Sequence, residues 1–239
     1  MFTGSLVAIV TPFKNGKLDE QSLGDLIEWQ ITSGTHGIVP CGTTGESATL
    51  THAEHDRVVA FTVEVARRRV PVIAGTGSNS TAEAIALTKH AKAAGADGAL
   101  LITPYYNKPT QEGLFLHYKA VAEAVDLPLV LYNIPGRTGV NMMPSTVSRL
   151  TVCPTIVAIK EGSGSVQQAS EIIQLCGERL AVLAGDDALT LPMMAVGGKG
   201  VITVTANLVP SDMAELVNAF LAGRVDDARA KHYRLYPLF

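Results

Sequence analysis

One pattern recurs eight times along the chain and leaves few folds open: a short apolar, β-branched run, a polar or glycine-rich end, then an amphipathic helical segment. The runs are LVAIVTP, GIVPCG, VPVIAGTG, GALLITPYY, LPLVLYNIP, TIVAIKEG, LAVLAGDD and GVITVTAN. Apolar runs of this length between turn residues read as strands buried on both faces, the environment of a parallel sheet. The segments between them carry the helical period: in DEQSLGDLIEWQITSG, residues Leu23, Leu26, Ile27 and Ile31 fall on one face. Thr51 with Glu54, Ser80 with Glu83 and Ser165 with Gln168 have the spacing of a capping box, which gives each of these acidic or amide side chains a structural task. Successive βα units with short connections predict an α/β fold, the closed (β/α)8 TIM barrel, with a doubly wound open sheet as the alternative.

Composition agrees with one domain. Of 239 residues 47% are hydrophobic and 17% charged, enough to build a sizeable core. A net charge of -3 without blocks of like charge gives no electrostatic reason to expect nucleic acid or a membrane surface. Arg67, Arg68 and Arg69 read as a solvated helix end. MFTGSLVAIVTPF lacks a basic leader and no run reaches membrane-spanning length, so a cytoplasmic protein is expected. Cys41, Cys153 and Cys176 lie far apart and the histidines are scattered, so neither disulfides nor a metal site is signalled. GTGSNS has Ser80 where a dinucleotide-binding loop needs its third glycine, and VGGKG lacks the spacing of a P-loop.

In a barrel of this kind the chemistry gathers where the strands end. Thr43, Thr44 and Glu46, Tyr105 and Tyr106, Tyr132 and Asn133, Lys160, and Gly185, Asp186 and Asp187 all fall there. Lys160 is the anomaly, a cation at the end of a buried strand. Strict alternation puts Ile156, Ala158 and Lys160 on one face and Val157, Ile159 and Glu161 on the other. If the first set points inward, desolvation favours the neutral amine, a nucleophile toward carbonyl carbon; the alternative is a lysine paired with Asp186 or Asp187. Tyr132, on the preceding strand, is placed to move protons for such an amine. Tyr105 and Tyr106 are adjacent and expected to face opposite ways, so that at most one joins the same site. His52 and His55, three apart on one helix, read as solvated histidines in the absence of a third ligand.

Together GTTGES (from Gly42), YNIPGRTG (from Tyr132), IKEGSG around Lys160, AGDD (from Ala184) and GVITVTAN (from Gly200) resemble the dihydrodipicolinate synthase family, in the pyruvate-dependent class I aldolase superfamily. MFTGSLVAIVTPF and TPYYNKPTQEGL match it too, so the resemblance runs through the whole chain in order. It implies that Lys160 forms an imine with pyruvate and that Thr43, Tyr132 and Tyr106 relay protons, Tyr106 reaching in from a neighbouring subunit. It implies further that Thr44, Gly185 and Ile202 border the pyruvate pocket, and that Arg137 binds the carboxylate of L-aspartate 4-semialdehyde. No cofactor beyond the covalent pyruvate is implied. Ser47, Ala48, His52, His55, Asn79, Glu83 and Tyr105 match the family's L-lysine feedback site at a dimer interface, so a homodimer or homotetramer and allosteric inhibition are expected. N-acetylneuraminate lyases and keto-deoxy-sugar-acid aldolases of the superfamily share the lysine and tyrosine without the arginine in this loop, and remain the alternative, as does a truncated, weakly active barrel. The family continues beyond the barrel into a helical bundle. Residues 1–223 are therefore expected to form the barrel and 224–239 the start of a helical region, with KHYRLYPLF inside a helix and apolar surface left exposed.

Overall fold

The computed structural model describes residues 2–239. Its barrel strands are β1 (Gly4–Ala8), β4 (Gly37–Val39), β5 (Ile73–Gly75), β6 (Gly98–Ile102), β7 (Leu129–Asn133), β8 (Ile156–Glu161), β9 (Ala181–Ala184) and β10 (Gly200–Thr203). They are all parallel and bond in the order β4-β1-β10-β9-β8-β7-β6-β5, and a bridge between Ile38 and Val72 joins the two ends of the sheet. The remaining strands, β2 (Phe13–Lys14) and β3 (Lys17–Leu18), form a small antiparallel ribbon. This is the closed barrel expected from the sequence, and the open sheet is excluded.

The seven connections carry α1 (Glu20–Thr32), α2 (His52–Ala66), α3 (Thr81–Ala94), α4 (Gln111–Ala124), α6 (Pro144–Leu150), α7 (Val166–Cys176) and α8 (Thr190–Ala195), and α9 (Pro210–Leu221) follows the last barrel strand. The short α5 (Pro135–Thr138) sits in the loop after β7, and α10 (Val225–Leu235) packs on α9. Two apolar layers follow from the strand alternation. Leu6, Ala8, Val39, Ile73, Leu100, Val130, Ala158, Leu183 and Ile202 fill the barrel, while Val7, Ile38, Leu101, Leu131, Ile159 and Val182 face the helices. Each fully buried valine, leucine or isoleucine side chain in these layers is worth about 1.5–3 kcal/mol relative to exposure. Close approach of β1 and β10 requires Gly200, since a Cβ there would run into the Gly4 carbonyl, and its φ of +142° also disfavours any other residue.

Three local details depart from the sequence reading. The Thr51–Glu54 capping box is complete, but only the first half forms at Ser80 and Ser165. Glu83 and Gln168 turn to other partners instead. Strict alternation also fails in β8: Leu129 pairs Ile156 but Val130 pairs Ala158, so Val157 is an extra residue. This bulge puts Ile156 in the outer layer and Val157 against the inner one, although Ala158 and Lys160 still point inward. At the last turn, α10 ends at Leu235 and a 3-10 turn spans Tyr236–Leu238, because Pro237 cannot continue the helix. Exposed apolar residues at this end include Leu221, Val225, Tyr233, Tyr236 and Leu238.

A buried histidine makes acid stability testable. His117 on α4 accepts or donates one bond with Thr81 (2.8 Å), its Nε2 has no partner among the described residues, and burial lowers its pKa to about 4. Because the folded value lies below the unfolded one, its contribution is intact above about pH 6.5 and is lost as pH falls towards 4. Acid titration of unfolding should show about 2–3 kcal/mol lost through this group, and His117→Gln should flatten that limb. An unchanged slope in the variant would assign the acid sensitivity elsewhere.

Candidate active site

Lys160 and Tyr132 are directly paired across β8 and β7, both pointing into the barrel. The lysine is 4% exposed and its Nζ lies 4.3 Å from the centre of the Tyr132 ring. Among the described residues no carboxylate comes within ion-pair distance of it, which removes the salt-linked alternative. Burial lowers its pKa to about 8; the Asp187 carboxylate opposes this and the Arg137 guanidinium assists it. A substantial neutral fraction is thus available near physiological pH. The Tyr132 phenol is pushed up by burial, with Arg137 and a hydrogen bond to the Thr43 hydroxyl pulling the other way. It therefore keeps its proton and can pass it on.

The GTTGES turn after β4 brings Thr43 to this place. Cys41 and Glu46 both take left-handed backbone, with φ of 54° and 59°. The Thr11 hydroxyl donates to the Gly45 carbonyl (2.7 Å) and the Glu46 amide to the Thr43 carbonyl (3.1 Å), which fixes the turn. The Gly185 amide donates to the Glu161 carbonyl, tying the end of β9 to that of β8. Ile202 is fully buried inside the barrel. Across the mouth, Asp187 accepts from the Val204 and Thr205 amides and the Thr205 hydroxyl, each at 3.0 Å.

Above the lysine opens a cleft of about 1040 Å³. Thr43, Tyr132, Tyr106 and Arg137, on α5, line it on one side; His52, His55 and Glu83 line it on another, with Ser47, Ala48 and Tyr105 between. Lys160, Thr44, Gly185 and Ile202 lie outside its wall, as does Asn79, whose carbonyl accepts from Asn107. The expected opposition of Tyr105 and Tyr106 fails, since both border this cleft. Tyr106 has φ of 71°, which breaks the alternation an extended chain would impose, and the residue is 89% exposed. His55 is also corrected: it is buried, and its Nε2 bonds to the Gly75 carbonyl (2.8 Å). It shares the face of Val58, Val59 and Thr62, a periodicity the sequence displays. His52 is exposed as expected and meets Glu83 at 2.9 Å, while Ser78 also donates to Glu83; these two contacts, Ser78 first, lower the carboxylate's pKa.

Sequence reasoning missed a polar cluster outside the barrel wall, Asn133, Asn141, Glu161 and Gln168. Its members are scattered over three elements and a loop, and only the Asn133 and Glu161 positions, next to Tyr132 and Lys160, hint at it. No group of acidic, histidine or cysteine residues suited to a metal occurs among the described residues.

The sequence pattern of the dihydrodipicolinate synthetase family matches residues 1–239. The chain belongs to this family. A 4-hydroxy-tetrahydrodipicolinate synthase from Geotalea uraniireducens is 66% identical over 98% of the chain and 81% of its own length. The chloride-inhibited dihydrodipicolinate synthase of Acinetobacter baumannii, solved with pyruvate, superimposes with a TM-score of 0.97 at 50% identity, over 100% of this chain and 82% of that one. The Cyanidioschyzon merolae enzyme, solved with lysine bound, gives 0.95 at 41% identity over 98% and 80%. As a family member the chain is a pyruvate-dependent, Schiff-base-forming lyase that needs no external cofactor. No helix among the described residues is long and apolar enough to cross a membrane.

Proposed function

We propose that the chain acts as a 4-hydroxy-tetrahydrodipicolinate synthase, condensing pyruvate with L-aspartate 4-semialdehyde on Lys160, as a cytoplasmic enzyme of lysine and diaminopimelate biosynthesis. The observation that carries this is the unpaired, buried Lys160 amine beside Tyr132 and Thr43. Its lone pair adds to the ketone carbon of pyruvate, and loss of water from the carbinolamine leaves the imine. Tyr132 and Thr43 supply and remove the protons of these steps, and the GTTGES turn with Thr44 holds the carboxylate. Loss of a methyl proton gives the enamine, whose carbon attacks the aldehyde. The amino group of the second substrate then displaces Lys160 from the imine, closing the ring and freeing the enzyme. Gly185 and Ile202 shape the pyruvate pocket.

Arg137 distinguishes this reaction from the sugar-acid lyases. It is exposed on the cleft wall, and its planar fork suits the semialdehyde carboxylate. Arg137→Ala should lower kcat/KM for L-aspartate 4-semialdehyde on the order of 10²-fold, while borohydride still traps pyruvate on the chain. Unchanged turnover of the semialdehyde would transfer the assignment to another 2-keto-acid aldolase.

The exposed Tyr106 completes the relay of a neighbouring copy in a homodimer, which stands alone or pairs into a homotetramer as a dimer of dimers. Residues 1–223 make the catalytic unit and 224–239 begin a helical region. L-lysine binds at Ser47, Ala48, His52, His55, Asn79, Glu83 and Tyr105, its ammonium toward Glu83. Millimolar L-lysine should lower the steady-state rate, and Glu83→Ala should remove the effect; a rate indifferent to lysine would retire this site.

A further inference from the structure

Among the described residues, a carboxylate with no cation within ion-pair distance lies directly behind the two residues that carry the chemistry. Glu161 follows Lys160 on β8 and points the other way, fully buried between barrel and helices. All of its recorded partners donate: the Ser163 amide at 2.7 Å, Gln168 Nε2 at 3.1 Å, and Asn133 Nδ2 at 3.1 and 3.4 Å from its two oxygens. Such surroundings suit the ionised form, which only accepts. Burying an anion is a poor means of stabilisation, since an apolar side chain of like volume would fill the space at lower desolvation cost. What the anion adds is registration. Asn133 pairs with Glu161 just as Tyr132 pairs with Lys160 one step before, so the outer pair is the neighbour of the inner one. Asn133 in turn accepts from the Met142 amide (2.9 Å) and donates to Asn141 (2.8 Å), and Asn141 is joined to Gln168 on α7. The Gly162 amide donates to the Asn133 carbonyl and the Gly185 amide to the Glu161 carbonyl, both at 2.8 Å.

We propose that Glu161, with Asn133, is a positioning residue for imine formation, holding the ends of β7 and β8 so that the Lys160 amine stays at the Tyr132 ring. The proposal rests on reading Lys160 as the imine-forming group. Glu161→Gln tests it, because either orientation of the new amide sets an NH2 group against a donor, Ser163 or Gln168. The rate of borohydride trapping with pyruvate, measured per folded chain, should fall on the order of 10²-fold, as for a displacement of about 1 Å at a reacting pair. The KM for pyruvate should stay within about threefold, a split that general loosening would not give. Asn133→Ala withdraws one donor from Glu161 and leaves the Ser163 amide and Gln168 on it, and should slow trapping about tenfold with the KM for pyruvate again unchanged. Trapping at the parent rate in folded Glu161→Gln overturns the proposal. So does a folded Asn133→Ala variant that traps at the parent rate, which also decides the matter should Glu161→Gln fail to fold. Failure of the parent chain itself to trap pyruvate is a separate result and removes the Schiff-base reading.

Discussion

Lys160→Met should fold, melt higher than the parent and lose turnover by about 10⁴-fold or more. The two effects have one cause. Holding this amine in the barrel places its folded pKa, about 8, below the unfolded value of 10.5. The unfolded chain therefore binds the extra proton between these values, and the full penalty, about 3 kcal/mol, applies below pH 8 and fades as pH rises towards 10.5. Methionine fits a similar volume without that penalty. Recovering about 1–3 kcal/mol would raise Tm by roughly 2–4 °C per kcal/mol in a chain of this size. The same titration predicts that pyruvate trapping by the parent accelerates with pH and levels off above about 8. Mass spectrometry should place the reduced adduct on Lys160 and find none in the variant. A variant that melts lower, or that still acquires the adduct, would contradict this account.

Tyr132→Phe should cost about 10²–10³-fold in kcat with little change in melting temperature. The ring is 5% exposed and packs inside the barrel, so phenylalanine preserves the contact with Lys160 and removes only the hydroxyl. That hydroxyl is held protonated by burial, and among the described residues no other phenol pairs with Lys160 across the sheet. Steady-state kinetics with both substrates checks this, and Thr43→Val should show a smaller loss because the phenol itself remains. A loss under about fivefold from Tyr132→Phe would mean that solvent carries the proton.

The repeating βα pattern made the barrel legible, because each strand run and helix stripe states its own burial. Lys160 and Tyr132 were legible for the same reason: a cation and a phenol stand out at the ends of apolar runs. Whatever depended on backbone detail was not. The left-handed φ of Tyr106 leaves no mark in a Tyr-Tyr pair, and the surplus Val157 looks like any other residue of its strand. His55 could have been placed from its helix face, shared with Val58, Val59 and Thr62, but polarity suggested solvent. The cluster around Glu161 joins residues 28 apart at Asn133 and 7 apart at Gln168, so only the fold brings it together.

Val157 sets which face of its strand each later residue presents. Ile156 packs outward, and an unbroken two-residue rhythm from there would carry Lys160 outward and Glu161 into the lumen. One surplus residue inverts the phase, handing the amine to the interior and the carboxylate to the wall. The sign of charge that lines the reaction chamber is thus encoded three positions upstream of the nucleophile, by a residue with no chemistry of its own.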